Sequence, residues 1–190
     1  MILPIRAFGD PVLRKEAHDI DKDYPELKVL IENMCETMDA ANGIGLAAPQ
    51  IGLDIRLFIV DISPLSDDED YEDIAEELKD FKKVFINARI LEESGEEWKF
   101  NEGCLSIPDV REDVKRKETI LIEYFDENFV KHTDTFSDIR ARVIQHEYDH
   151  IDGVLFTDHL SALKKKLVKG KLQKISNGEV HTSYKMRFPK

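Results

Sequence analysis

Residues 137–153 read SDIRARVIQHEYDHIDG, and this stretch has well-marked boundaries for a helix. Ser137 and Asp138 are suited to cap its start, and Gly153 is suited to end it. At about 100° per residue, two stripes run along such a helix. The first carries Ile139, Val143, His146 and His150, and the second carries Ile144, Tyr148 and Ile151. A helix that is apolar on two sides is expected at the centre of a fold.

The preceding sequence predicts a second helix followed by a loop and a strand. Residues 25–41 place apolar side chains and Cys35 at helical spacing, with Pro25 suited to the first turn. Cys35 is therefore expected in the core. The glycine-rich segment 43–52 is expected to be a loop. Residues 55–62 are rich in branched and aromatic side chains and predict a strand.

Strand patterns dominate the region between this loop and the helix at 137–153. Residues 83–93 and 97–108 predict two strands, and the turn at 126–128 lies between two further β-like runs, which indicates a hairpin. Residues 159–176 favour a basic amphipathic helix, and the alternation of Tyr184, Met186 and Phe188 favours a closing strand. The sequence therefore predicts an α+β fold, with antiparallel or mixed β-sheets packed around a central helix carrying the HExxH motif.

Composition predicts one soluble domain over residues 1–190. Apolar residues make up 42% and charged residues 35%, and no apolar run approaches the length of a membrane span. The two cysteines, Cys35 and Cys104, are too few for a disulfide framework. The first residues contain neither a secretory signal nor a transit peptide pattern, so we expect a cytoplasmic protein with no membrane partner.

Charge is distributed unevenly along the chain. The formal net charge of −12 argues against specific binding to DNA. Residues 67–80 carry nine acids and one base, whereas residues 161–174 carry six lysines and no acid. A solvated surface is favoured over a partner site for both segments.

Residues 146–150 read HEYDH, an H-E-x-x-H pattern that presents two imidazoles to one ion and sets Glu147 beside it. A catalytic site of this kind needs a third protein ligand and an open position, whereas a structural site needs four protein ligands. The histidines and glutamate after His150 stand at no recognisable spacing. Cys104 is the better candidate because a thiolate binds divalent ions strongly, although a buried structural thiol is about equally consistent with that residue alone.

Four motifs together resemble those of the peptide deformylase family. They are FGDPVLR at 8–14, GIGLAAPQ at 43–50, EGCLS at 102–106 and QHEYDH at 145–150. The resemblance covers about residues 1–160. It implies a metal-dependent hydrolase that removes the N-formyl group from the formyl-methionine of nascent polypeptides and releases formate. Cys104, His146 and His150 would hold one divalent ion, generally Fe2+ in the cell, with Zn2+, Ni2+ or Co2+ able to take its place.

The resemblance also implies roles around the ion. Glu147 would act as general base and then general acid while water activated by the ion attacks the formyl carbon. The Gln50 amide and the Leu105 backbone N–H would stabilise the oxyanion. For Gln50 alone, a loop-capping role is the simpler interpretation.

Substrate would bind partly through backbone. The loop of Ile44 and Gly45, together with Gly103, would pair with the extended peptide as an added strand. Ile44 and Val143 would line an apolar methionine pocket, to which the stem of Arg142 is expected to contribute. Arg111 would hold the peptide farther along, or else form a surface ion pair with one of the two acids that follow it.

Two segments depart from the family pattern. The acidic stretch at about 63–80 is expected to be an insertion, and the tail after about residue 160 to be variable. Neither is expected to affect the chemistry. A further hypothesis is that the Lys164–Lys174 region contacts ribosomal RNA near the exit tunnel, as the tail does in some members of the family.

Two rival interpretations remain open at this stage. An H-E-x-x-H endopeptidase would cleave internal peptide bonds and give no role to Cys104. A metal-stapled binding module would use four protein ligands, with Cys35 or His159 as the fourth.

Overall fold

A computed structural model describes residues 1–189 and has an α+β fold. The strands are β1 (Ile5–Arg6), β2 (Gly45–Ala47), β3 (Leu57–Asp61), β4 (Lys82–Cys104), β5 (Ile107–Phe125), β6 (Lys131–Ser137) and β7 (Met186–Arg187). The α-helices are α1 (Leu27–Ala40), α2 (Ala75–Leu78), α3 (Asp138–Ile151) and α4 (Ala162–Ser176). Strands β2-β3-β4-β5-β6 form an antiparallel sheet in that order, and β1 pairs with β7 in parallel. The predicted mixture of helices and antiparallel strands is confirmed.

Helices pack on both faces of the five-stranded sheet. Along β3, Phe58 and Val60 belong to the apolar cluster that contains the buried residues of α3. Leu57 and Ile59 belong instead to the cluster that contains Met34 and other residues of α1. Because successive side chains of a strand point to opposite faces, α1 and α3 lie on opposite sides of the sheet. None of the helices within residues 1–189 is long and apolar enough to cross a membrane.

The long hairpin of β4 and β5 differs from the prediction. The two strands predicted at 83–93 and 97–108 are one strand, which continues through a register shift between Ser94 and Glu97 where Gly95 has a φ of +80°. The glycine allows the chain to bend without leaving the sheet. The predicted end at residue 108 was wrong, because the chain turns at Leu105 and Ser106.

The segment predicted as a loop at 43–52 is partly regular. Gly45–Ala47 pair with β3, and Ala48–Ile51 form a single 3-10 turn. The prediction was wrong here because pairing with β3 supplies hydrogen-bond partners for the backbone. The predicted hairpin at 126–128 is confirmed, since Phe125 pairs with Lys131 across it.

Helix α3 starts and ends within two residues of the prediction. The Asp138 carboxylate accepts from the backbone N–H of Arg140 and so caps the first turn. The predicted capping role of Ser137 was wrong, because its hydroxyl lies 3.0 Å from Thr119 Oγ1 on the neighbouring strand. Gly153 follows the helix with a φ of +72°, a conformation that glycine adopts readily.

The remaining helices and the tail largely follow their patterns. Helix α1 begins two residues after Pro25, and Cys35 is half-buried beside its core side chains. Helix α4 is capped by the Ser161 hydroxyl. The predicted closing strand shortens to the two residues of β7. The acidic stretch forms 3-10 turns at Ser63–Asp67 and Glu69–Ile74 and then α2.

Candidate metal centre

Two elements bring three metal-binding side chains together. Helix α3 supplies His146 and His150, one turn apart, and the last residue of β4 supplies Cys104. One donor atom from each of the three lies within 4.8 Å of the others, and Cys104 Sγ is 3.2 Å from His150 Nε2. The turn after Cys104 therefore brings the thiol to the face of α3 that carries both imidazoles.

The chemistry of these donors fits a divalent ion. His146 Nδ1 lies 2.9 Å from Glu102 Oε2, and a carboxylate only accepts, so Nδ1 carries the proton and Nε2 is free to bind a metal. Burial opposes ionisation of Cys104, but His150 and His146 together lower the pKa of its thiol to about 5. A thiolate and two imidazoles form a site with three protein ligands. Neither Cys35 nor His159 belongs to this group in the described part of the chain.

The Glu102 carboxylate lies in a buried network of charges that the sequence analysis missed. It accepts from Arg116 Nε at 2.7 Å and from Arg142 Nη1 at 2.9 Å, in addition to its contact with His146. Burial alone would raise the pKa of Glu102, but His146 and Arg116 hold that pKa far below its usual range. Arg116 continues the network to Asp149 on α3, at 2.8 Å. Glu102 precedes Cys104 by two residues on the same strand. Residues at that spacing share one face of a strand, so the sequence did indicate that Glu102 lies on the same side as Cys104.

Arg142 is among the residues that line the cleft, in agreement with the expectation for its stem. Its guanidinium is anchored by two contacts with Trp98. The guanidinium carbon lies 4.4 Å from the centre of the Trp98 ring, and Nη2 donates to the Trp98 carbonyl oxygen at 2.8 Å. Stacking and the contact with Glu102 therefore hold the charge away from solvent.

Glu147 is buried beside the three donors. Its Oε2 has no hydrogen-bond partner among residues 1–189, and a Cβ at Gly45 would stand 2.4 Å from its Oε1. Only glycine at position 45 leaves room for this carboxyl. Burial raises the pKa of Glu147 to about 7, although His146 and His150 oppose the rise. A group with that pKa both accepts and donates a proton near neutral pH.

Gln50 and Leu105 also adjoin the donors. Gln50 Oε1 accepts from the Ala47 backbone N–H at 2.8 Å, and this bond orients the amide. Its Nε2 lies 3.5 Å from Cys104 Sγ and 3.3 Å from Ser106 Oγ. Leu105 directly follows Cys104 in the turn of the hairpin. The loop-capping contact expected for Gln50 is present, and it leaves the amide nitrogen directed at the thiol.

A cleft of about 560 Å³ opens onto the centre. Its walls include all five residues that the sequence analysis assigned to substrate binding: Ile44, Gly45, Gly103, Arg111 and Val143. The surface ion pair considered for Arg111 was wrong, because Arg111 Nε donates to Asn101 Oδ1 at 3.0 Å. Residues 181–184 of the tail also line the cleft, which the sequence did not indicate.

Comparisons with known proteins agree with this geometry. A family model described as polypeptide deformylase matches residues 2–166. The chain is 62% identical over 190 residues to a peptide deformylase of Christiangramia forsetii, covering 100% of this chain and 97% of that protein. It is 51% identical over 189 residues to a peptide deformylase of Cytophaga hutchinsonii, with 100% and 98% covered. A crystal structure of a peptide deformylase from Legionella pneumophila matches with a TM-score of 0.79 at 35% identity, over 94% of this chain and 98% of that one.

Substitution of Glu102 tests the buried network. Glu102→Gln removes the negative charge that faces two buried arginines, and we expect it to lower the free energy of unfolding by about 3–5 kcal/mol. Glu112→Gln is the matched control, because that carboxylate pairs with Lys164 near the surface of the same hairpin and should cost at most about 1 kcal/mol. Urea-induced unfolding measures both. Equal losses in the two variants would contradict a special role for Glu102.

Proposed function

The chain belongs to the peptide deformylase family of hydrolases, and from that premise we propose that it removes the N-formyl group from the formyl-methionine of nascent polypeptides, releasing formate. The observation that carries the proposal is that Cys104, His146 and the buried Glu147 line one cleft, with His150 beside the other two donors. A peptide end reaching into this cleft would bring its first carbonyl group to these side chains.

We propose that Cys104, His146 and His150 hold one divalent ion, Fe2+ in the cell. The donors suit zinc, nickel and cobalt as well, so availability would decide which ion is present in a purified protein. When bound, such an ion polarises the formyl carbonyl and lowers the pKa of water. Glu102 supports this arrangement by fixing the tautomer and the ring orientation of His146.

Glu147 is proposed as the group that moves the proton. Its unpartnered Oε2 would accept a proton from the attacking water and deliver it to the nitrogen of the departing amine. The pKa of about 7 supports both directions of transfer near neutral pH. Because Gly45 has no side chain, the Glu147 carboxyl has room beside it at the wall of the cleft.

The oxyanion that develops on the formyl oxygen needs fixed donors, and we propose the Gln50 side-chain amide and the Leu105 backbone N–H. Ala47 holds the Gln50 amide in one orientation, so little reorganisation is required during the reaction. Leu105 is the residue after the proposed thiolate ligand, which supports its placement near the reacting carbonyl.

The substrate is proposed to lie along the cleft in an extended form. Backbone groups at Ile44, Gly45 and Gly103 would pair with the peptide, an arrangement that tolerates many sequences. Ile44 and Val143 would contact the methionine side chain. Arg111, held against Asn101 at the outer wall, would contact the peptide farther along.

We further propose that residues 1–190 form one cytoplasmic domain around α3, with the acidic stretch at about 63–80 as an insertion and a variable tail after about 160. Burial of ten residues of α3 supports its central position. None of the residues at 63–80 lies among those that line the cleft.

Formate release tests the proposed reaction. Glu147→Gln keeps the shape of the side chain but cannot take up a proton, so we expect kcat to fall about 10²–10⁴-fold with KM little changed. The assay follows formate released from a formyl-Met peptide by metal-loaded protein. Glu76→Gln, on the surface of α2, should retain full activity. An inactive metal-loaded wild type would refute the proposed function, and an active Glu147→Gln would refute the role of Glu147.

Metal content tests the ligand set and the rival functions. Cys104→Ala should lower the bound metal far below one ion per chain, because two imidazoles alone bind divalent ions weakly. Cys35→Ala should leave the content unchanged, since Cys35 lies outside the group. Elemental analysis after dialysis measures both. An H-E-x-x-H endopeptidase would keep its metal in Cys104→Ala and cleave internal peptide bonds. A four-ligand binding module would lose metal when its fourth ligand is replaced.

The basic face of α4 is proposed to contact ribosomal RNA. Lys165, Lys166 and Lys169 are exposed. Reversing these three charges to glutamate should weaken cosedimentation with ribosomes and reduce its dependence on salt. Reversal of the exposed Lys22, Lys28 and Lys79 is the control for net charge. Unchanged association after reversal on α4 would remove this part of the proposal.

A further inference from the structure

The C-terminal tail reaches the reaction centre through one hydrogen bond. The Tyr184 hydroxyl donates to the backbone carbonyl oxygen of Leu105 at 2.8 Å, across 79 positions of sequence. Leu105 is the residue that directly follows Cys104. A side chain of the variable tail therefore contacts the turn that carries a proposed oxyanion donor.

The turn at Leu105 and Ser106 is held from several directions. The Phe8 backbone N–H donates to the Ser106 carbonyl oxygen at 2.8 Å, and Gln50 Nε2 lies 3.3 Å from Ser106 Oγ. These contacts act on Ser106. The contact from Tyr184 acts on the Leu105 carbonyl and so restrains the peptide unit that directly follows the Leu105 N–H.

Tyr184 is itself held firmly enough to act as a restraint. The next residue is Lys185, whose carbonyl oxygen accepts from Ile5 N–H at 2.9 Å, and the chain then enters β7, which pairs with β1. The Thr182 hydroxyl donates to the Tyr184 carbonyl oxygen at 2.7 Å. The ring packs with Leu105 against the apolar cluster of α1 and β3.

The hydroxyl remains a donor throughout the neutral range. Burial, followed by the nearby Cys104, raises the pKa of Tyr184 to about 12. A tyrosine that keeps its proton can donate to a carbonyl oxygen, whereas a phenolate cannot.

We propose that Tyr184 is a positioning residue for deformylation, which fixes the Leu105–Ser106 turn through its hydroxyl and so sets the Leu105 N–H relative to Cys104 and Gln50. The inference rests on the proposed function, in which that N–H stabilises the oxyanion. Tyr184 does not need to touch the substrate to act in this way.

The kinetic consequence follows from when the oxyanion forms. A donor that acts on developing charge stabilises the transition state more than the bound substrate, so displacement of that donor lowers kcat and leaves KM nearly constant. A misplacement of 1 Å costs up to about 10²-fold, and a partly restrained turn should move less. We therefore expect a loss of roughly three- to tenfold.

The experiment compares Tyr184→Phe with Tyr124→Phe in metal-loaded protein. Tyr124 is the matched control because its hydroxyl donates to Asp134 at the same distance, 2.8 Å, and neither of these two residues lines the cleft. Steady-state release of formate from a short formyl-Met peptide, metal content and thermal unfolding are measured for both. Tyr184→Phe should lower kcat by roughly three- to tenfold with KM within about twofold of wild type. Tyr124→Phe should match wild type in both constants, and both variants should keep their metal.

Several outcomes would overturn the inference separately from the proposed function. A wild-type kcat in Tyr184→Phe would overturn it. A higher KM at unchanged kcat would also overturn it, because Tyr184 would then contribute only to binding of the peptide. Equal losses of kcat in the two variants would indicate a general effect on stability. Tyr184→Leu provides a second test, because removal of the ring should lower kcat at least as much as removal of the hydroxyl. If wild type releases no formate, the proposed function itself fails.

Discussion

The buried carboxylate of Glu102 is the constraint on which the rest of the structure depends. It is 3% exposed and is surrounded by Arg116, Arg142 and the Nδ1 of His146. Moving an unpaired carboxylate out of water is costly, and good geometry with several donors is needed to offset that cost. Because these donors come from both β5 and α3, the hairpin can approach the helix only in the register that pairs them all. The same carboxylate therefore joins the helix to the hairpin and orients the His146 imidazole.

Close packing at this junction explains the position of one glycine. Gly45 lies where a Cβ would collide with the Glu147 carboxyl. Its lack of a side chain brings backbone close to the cleft. Glu147 meanwhile is buried with no hydrogen-bond partner for Oε2 among residues 1–189, which is unfavourable for folding. Unsatisfied groups of this kind are expected where a fold serves chemistry.

The sequence predicted what depends on local spacing and missed what depends on long-range register. Two histidines at i and i+4 share one face of any helix, so α3 and its donors could be found without a structure. Ligand chemistry alone left Cys104 evenly balanced between a third ligand and a structural thiol, and the family motifs favoured the ligand. No local rule relates the end of β4 to a helix that begins 34 residues later. Glu102 went unnoticed although a metal-binding histidine usually donates its other N–H to a carboxylate. The continuity of β4 through Gly95 was missed because glycine in a strand pattern also marks a turn.

The tail shows how a segment without a recognised family motif can still reach the cleft. Helix α4 is exposed over most of its length, and its departure from the family pattern suggested that residues beyond 160 do not affect the reaction. Backbone pairing of β7 with β1 nevertheless returns the chain to the cleft, and it does so through hydrogen bonds that almost any side chains would permit. The path of the tail therefore depends on backbone groups more than on particular side chains. Within that path, the Tyr184 hydroxyl reaches the Leu105 carbonyl oxygen, so this position of the tail is tied to the turn beside Cys104.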